Sequence, residues 1–445
     1  MNIALLNLGC PKNQKDGEVA LASFIKNGFK YTEALEKAEV IMINTCGFID
    51  EAKQESISTI LSCSEYKKKG RCKALILTGC LSQKYSEELK KEIPEIDVFL
   101  GVSTFPKAYD LYKAFSKTKK NQSLIEEPGF IYTDCDYLSI LKTSGYMPET
   151  FSYSAYIKIA EGCNSKCTYC SIPSIRGRIN IRTHESIIDE ISFLVGTGVK
   201  EIVLIAQDLT AAPIKLKELL NKISKMPKQK RPTWLRLMYC NPWGVDDELI
   251  KIIKNEEWIV NYIDMPIQHI SESILKRMGR KGGGTLIRDL VLKLKNNGIV
   301  IRSTVLTGFP GESSKDFEEL KAFISEGWFH WLGLFVFSPQ EGTPATEMPD
   351  KISLGLAIER RNELDRIQFE VTTALNDRYV DSVLPVLINC KTEGLIEGRI
   401  FSQAPVVDGI VKFEGNIDGP FANVLIEEAS GFDLIGKIFK EIDHG

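Results

Sequence analysis

Twice along this chain, short apolar runs alternate with helical stretches, and no other feature restricts the fold as strongly. The first series has runs at 3–8, 40–43, 74–78 and 97–100, separated by stretches such as "DGEVALASFIKNG" and "EAKQESISTILSC". Strands recurring with helices between them predict a parallel sheet, because parallel neighbours need a crossover connection. The second series, from 153 to about 345, has "AYIKIA" (155–160), "EIVLIAQ" (201–207), "WLRLMYC" (234–240), "YIDMPI" (262–267), "IRSTVLTGF" (301–309) and "LGLFVFS" (332–338). Six units are too few for the eight-stranded barrel, so an incomplete (β/α)6 barrel is expected, with its chemistry at the carboxyl rim of the strands. Ser313 and Asp316 read as a capping pair for "SSKDFEELKAFISEG", and the helical stretch 354–376 closes this domain.

Three strands of the first series end on a thiol. "IALLNLGC" ends on Cys10, "VIMINTCGF" delivers Cys46 and "ALILTGC" ends on Cys80. Successive cysteines are about 35 residues apart, roughly one βαβ unit. The carboxyl ends of parallel strands share one edge, where open α/β sheets bind ligands, so these thiols can converge. The plain alternative is three small buried hydrophobes.

The amino terminus "MNIALLNLGCPKN" has no basic n-region and its apolar run is broken at Asn7, unlike a signal peptide. The apolar run "WLGLFVF" is far too short to span a bilayer, so no membrane partner is expected. A cytoplasmic protein follows by default, and there eleven cysteines, an odd number, suit metal or catalytic use better than a disulfide framework.

A second thiol set is local. "EGCNSKCTYC" places Cys163, Cys167 and Cys170 in the spacing C-x3-C-x2-C, directly after the first strand of the second series. Three thiolates on one tight loop can each bind one iron of a cubane and leave the fourth iron open to a small molecule. Structural zinc would want a fourth nearby ligand, and the next candidate, His184, lies fourteen residues beyond Cys170.

"CNSKCTYC" after the first barrel strand resembles the radical S-adenosylmethionine (SAM) enzymes, and Tyr169 occupies the aromatic position that family shows before its last cysteine. With "LGCPKNQKDGE", "NTCGFIDEAKQESI" and "LTGCL" in front and a small β-barrel behind, the whole chain resembles the radical SAM methylthiotransferases. The resemblance implies two 4Fe–4S clusters: one on Cys163, Cys167 and Cys170 that chelates SAM, and an auxiliary one on Cys10, Cys46 and Cys80. It also implies that one SAM supplies a methyl group to a sulfur on the auxiliary cluster, while a second supplies a 5′-deoxyadenosyl radical. Gln207 and the "TGFPGE" segment, through Gly308 and Gly311, stand where SAM contacts fall.

Within the family one branch modifies an adenosine of tRNA; the other modifies the β-carbon of an aspartate in small-subunit ribosomal protein S-twelve. "GCPKN" resembles the ribosomal-protein branch, since the tRNA branch reads Gln-Met after that cysteine; "AQDLT", "MPIQHISESILKRM" and "FSPQEGTPA" resemble it too. An electron donor and a sulfur donor are implied as partners, without their identities, and no direct nucleic-acid substrate is expected. A non-catalytic iron–sulfur scaffold docking on ribosomes is the non-enzyme alternative. Two places depart from the family: "LTAAPI" follows "AQD" where a Tyr-Gly pair is usual, and Asp381 stands where glycine is common.

The expected domains are 1–115, a linker at 116–152, the radical SAM core at 153–376 and a small antiparallel, TRAM-like barrel at 377–445. That last segment, glycine-punctuated, holds twelve Asp and Glu against six Lys and Arg, a balance of −6, while the whole chain is at −3. RNA binding needs cations against phosphates, which such a module does not supply, whereas a basic protein would be attracted to it. Cys63, Cys72, Cys135 and Cys390 have no motif around them and read as packing or surface thiols. Cys240 and Gln268 fall at strand ends facing the rim, as pocket candidates, and His269 reads either as a pocket residue or as an ordinary partly buried histidine.

Overall fold

The computed structural model describes residues 1–126, 153–392 and 394–439. Most of the expected linker, Cys135 and Glu393 lie outside the described residues.

The first sheet has six strands: β1 (Asn2–Asn7), β2 (Lys30–Tyr31), β3 (Val40–Thr45), β4 (Ala74–Gly79), β5 (Val98–Leu100) and β6 (Gln122–Leu124). All pairs are parallel, in the order β2-β1-β3-β4-β5-β6. Alternate residues of the central strands face opposite sides, as the two-residue period demands. Val40, Met42 and Ile76 meet Val19, Phe24 and Phe115 from helices α1 (Pro11–Lys26) and α4 (Ala108–Thr118). Ile41, Ile43 and Leu77 meet Ile60 and Leu81 from α2 (Asp50–Lys69) and α3 (Cys80–Glu92). The sheet runs past the expected boundary at 115: α4 reaches Thr118, and β6 pairs along β5 within the stretch expected as linker. Its three-residue strand, QSL, carries too little apolar signal to show in the sequence.

The second sheet takes β7 (Ser154–Lys158), β10 (Glu201–Ile205), β11 (Trp234–Leu237), β12 (Ile259–Asp264), β13 (Val300–Thr307) and β14 (Trp331–Val336). They pair in parallel and in sequence order without closing, which is the incomplete six-stranded barrel. The short pair β8 (Ala160–Glu161) and β9 (Asn180–Ile181) flanks the first cysteine loop. Ser313 caps its helix by accepting from the Asp316 N–H at 3.2 Å, and Asp316 accepts from the Ser313 N–H at 3.0 Å. The closing helix spans Leu354–Asn376, and no described helix is long and apolar enough to cross a membrane.

The third unit is a closed barrel of β15 (Val383–Thr392), β16 (Leu395–Arg399), β17 (Val411–Glu414), β18 (Phe421–Ser430) and β19 (Asp433–Ile438). The expected antiparallel pairing holds except between β17 and β19, which run parallel. Five strands impose this: a closed ring with an odd number of members cannot alternate direction all the way round. Asp381, where glycine is common in the family, adopts φ 64°, the left-handed region that glycine enters freely and Asp tolerates.

This barrel closes one end of the six-stranded lumen. Leu387 and Ala404 pack on Tyr156, Trp234, Met238 and Tyr262. Arg399 donates to Glu201 at 2.6 Å and to Ser154 at 2.8 Å, and Arg302 bridges Asp408 and Asp264 at 3.2 Å each. Burial alone would push Glu201 up, but Arg399 and Arg236 overcome it and hold the carboxyl at about 2.

Candidate active site with two facing cysteine trios

The sheet order brings the three distant cysteines side by side. β1, β3 and β4 are consecutive neighbours, and Cys10, Cys46 and Cys80 all follow their carboxyl ends. Glycine precedes two of them for steric reasons. Gly9 has φ +90° and a Cβ there would lie 2.8 Å from Cys46 Cβ; Gly79 has φ +96° and its Cβ would strike the Thr45 carbonyl at 2.3 Å. Any side chain at either position would force the strands apart at the edge where the thiols meet. Cys10 is the N-cap of α1, with Pro11 at the first helical position, and Cys80 opens α3. Helix N-termini favour thiolates over thiols.

The thiols sit in unequal fields. Burial would push Cys10 up, yet Lys12 and Arg176 bring it below the ordinary thiol value. Burial and Cys80 push Cys46 up to about 12, and burial raises Cys80. Burial likewise pushes Cys170 up to about 12 and raises Cys163. A bound iron reverses such shifts, because its charge favours the deprotonated sulfur.

The loop carrying Cys163, Cys167 and Cys170 runs from β8 to the short helix Ile172–Arg176. It is pinned across the rim: the Thr168 N–H donates to Met278 O at 3.0 Å, and Thr168 Oγ1 to Arg277 O at 2.9 Å. The Cys163 N–H donates to Gly177 O at 3.1 Å. Tyr169 is half-buried and meets Phe309 edge-on, with ring centroids 6.3 Å apart. Phe309 lies between Gly308 and Gly311, so the "TGFPGE" loop borders this trio.

Both of those glycines also have packing duties. A Cβ on Gly308 would lie 2.3 Å from Ala357 Cβ, and one on Gly311 2.6 Å from the Arg277 guanidinium carbon. Gln207 donates to Glu161 Oε1 at 2.5 Å, while its own Oε1 is buried with no partner among the described residues.

The segment that follows the second trio reaches the first through Arg176, six residues beyond Cys170. Its guanidinium donates to Asp16 at 2.9 Å, Glu161 at 3.0 Å, Asn13 at 3.2 Å and the Cys80 sulfur at 3.4 Å. Lys158 pairs with Asp16 and, at 2.5 Å, with Glu161. Ile175 packs directly on Cys80. Burial would raise Glu161, but Arg176 and Lys158 hold its carboxyl down at about 2. None of Asp16, Lys158, Glu161 or Arg176 stood out in the sequence. The readable signal was Lys158 and Glu161 interrupting the apolar run "AYIKIAEGC".

Other candidates lie outside the Arg176 hydrogen bonds. His269 is buried, accepts from the Ser271 N–H at 3.0 Å and is held neutral at about 4 by burial. Cys63, Cys72 and Cys240 are buried, and Cys390 is exposed. Gln268 and Tyr239 both hold positive φ, 72° and 67°, at the rim. Among the described residues no three His, Cys, Asp or Glu side chains are drawn close enough to share one metal ion. A cubane asks for less, since each thiolate meets a different iron. With Arg176 donating to the Cys80 sulfur, the donor set fits such an anionic cluster.

Comparison with known proteins joins these features. Residues 2–101 match the family described as uncharacterized protein family UPF0004, 157–324 the radical SAM superfamily and 380–439 the TRAM domain. The structure of TsrM, a radical S-adenosylmethionine methyltransferase from Kitasatospora setae, aligns with a TM-score of 0.54 at 14% identity, covering 83% of this chain and 89% of that one. That likeness shows the fold. Fold and site together define a radical SAM enzyme with a thiol-bearing domain in front and a TRAM barrel behind. The ribosomal protein uS12 methylthiotransferase RimO of Citrifermentans bemidjiense is 41% identical, over 98% of both chains. Those of Geobacter sulfurreducens (41%, 98% of both) and Acetivibrio thermocellus (40%, 99% of this chain and 98% of that one) are similar. This chain belongs to that methylthiotransferase family.

Proposed function

We propose that this enzyme adds a methylthio group to the β-carbon of an aspartate in ribosomal protein uS12, in the cytoplasm. The observation that carries the reading is the Arg176 bridge, which ties the loop of one cysteine trio to the sulfur of the other across a domain seam. Cys163, Cys167 and Cys170 would hold one 4Fe–4S cluster, and Cys10, Cys46 and Cys80 a second. With SAM, these groups would supply the radical and the sulfur that a C–H to C–S conversion requires, an external electron donor and sulfur donor replenishing them.

The chain's own residues hold and shield. Arg176, Lys158, Asp16 and Glu161 lock the first domain onto the rim in a dry, charge-matched seam. Tyr169 and Phe309 wall the SAM side, where the unpartnered Gln207 Oε1 is an acceptor and the Gly308–Gly311 backbone can approach closely. The TRAM barrel turns Arg399 inward onto Glu201 and leaves Glu427 and Glu428 exposed, so its outer face suits a basic ribosomal protein. Anaerobic incubation of the reconstituted enzyme with SAM, a reductant, uS12 and tRNA tests the reading. Mass spectrometry should find a methylthio group on one uS12 aspartate. A methylthio-adenosine in tRNA with uS12 unmodified makes it the sister activity, and no SAM cleavage at all makes it a scaffold.

A further inference from the structure

The Arg176 seam holds three buried cations, and two are fully matched. Arg176 and Lys158 share Asp16 and Glu161. The third is Lys12, two residues after Cys10 and only 9% exposed. Its ammonium has no hydrogen-bond or ion-pair partner among the described residues; it rests 3.1 Å above the centre of the Tyr239 ring. The nearest acids are occupied: Glu161 by Arg176, Lys158 and Gln207, and Asp264 by Arg302 at 3.2 Å and the Tyr239 N–H at 3.0 Å.

The ring under Lys12 is itself placed deliberately. Tyr239 follows β11 on the barrel rim and holds φ 67°, a conformation costly for an aromatic residue and fixed here by that Asp264 bond. Two residues on, Asn241 Oδ1 accepts from Arg280 at 2.9 Å, and the Arg280 charge reaches Cys170 and Tyr169. Lys12 therefore belongs by sequence to the first trio and by contact to the rim of the second. A largely buried ammonium on a π-face, with the nearby carboxylates engaged, is an open anion position.

We propose that the Lys12 ammonium on the Tyr239 ring receives the carboxylate of the substrate side chain and so holds the adjoining carbon between the two cysteine trios. This deepens the reading above and rests on it: a substrate aspartate has its β-carbon next to the carboxylate that Lys12 takes. Lys12 is then a specificity-determining residue, selecting an acidic side chain over a neutral one of the same shape.

The test uses full-length reconstituted enzyme, uS12, and uS12 with its modified aspartate replaced by asparagine. Lys12→Gln should keep the parent's iron content and raise KM for uS12 about 10- to 100-fold, the range of a lost charge-assisted hydrogen bond. Lys12→Arg should recover most of that loss. In direct binding, the parent should prefer uS12 over its asparagine form by a similar factor, and Lys12→Gln should bind both alike. If Lys12→Gln loads iron and shows the parent's KM, or still discriminates aspartate from asparagine, the inference is overturned while the proposed function stands. If the parent leaves uS12 unmodified and binds both forms equally, the proposed function itself has failed. If Lys12→Gln loads less iron, the binding comparison decides: equal loss of affinity for both forms of uS12 overturns the selective role.

Discussion

Replacing Arg176 by Met should unlock the first domain from the barrel. The guanidinium comes from the radical SAM core, while Asp16, Asn13 and Cys80 belong to the first domain, so the lost bonds span the seam. Without it, Asp16 and Glu161 lose a buried cation with which both of them pair. Breaking a buried pair in this way costs about 3–5 kcal/mol. The depressed Glu161 carboxyl, held at about 2 by Arg176 and Lys158 together, has the same sign.

The readout is native-state hydrogen exchange at the amides of α1, since one unfolding free energy is not defined for a three-domain chain. Exchange should accelerate by about two to four orders of magnitude in Arg176→Met. The pH dependence has a definite sign. A carboxyl whose folded value is depressed adds stability that is present above its ordinary range and lost as pH falls through the folded value. The parent should therefore keep the seam closed down to acid well below pH 4, and Arg176→Met should open at higher pH. Adding Glu161→Gln should restore part of the loss, because one of the two carboxylates that lost the guanidinium is then neutral. Unchanged α1 exchange in Arg176→Met, or strictly additive losses in the double variant, would refute the argument.

Anaerobic reconstitution should yield about eight irons per chain, and changing Cys163, Cys167 and Cys170 to Ala should leave about four and abolish SAM cleavage; an unchanged iron count, or zinc in its place, contradicts this. Changing Cys10, Cys46 and Cys80 to Ala should spare cleavage of SAM to 5′-deoxyadenosine but remove methylthiolated product; product at the parent rate would make those thiols structural. Neutralising Glu397, Glu427 and Glu428 should weaken uS12 capture, and added salt should weaken the parent more than the variant, since exposed charges are screened over about 8 Å at physiological salt. Glu427 is already paired with Lys437 at 2.5 Å, so its share should be the smallest. Equal capture by parent and variant at low salt would remove the acidic barrel from substrate docking.

Much was legible in the chain because the signal is local. A two-residue apolar period, helical stretches between strands and glycine punctuation carried three units, with four of the six strands of the first sheet and all six of the second, and C-x3-C-x2-C announced its loop through spacing alone. Ser313 and Asp316 marked a helix start because a cap is made within four residues. What escaped was weak or short: β2 and β6, of two and three residues, have no period to detect. The parallel pair in the last barrel follows from ring closure, which no single strand encodes.

The strand-end cysteines show where the division falls. Their positions at the ends of β1, β3 and β4 are sequence facts, but that those strands are adjacent is a matter of sheet order, which only the tertiary structure decides. The same holds for the seam. Lys12, Asp16, Lys158, Glu161 and Arg176 lie as far as 164 residues apart in the chain. Alone, Lys12, Asp16 and Arg176 read as ordinary surface charges. Burial makes charge balance obligatory, because an unmatched ion out of water is costly, and only the folded chain shows which ions share one dry space and which one is left over.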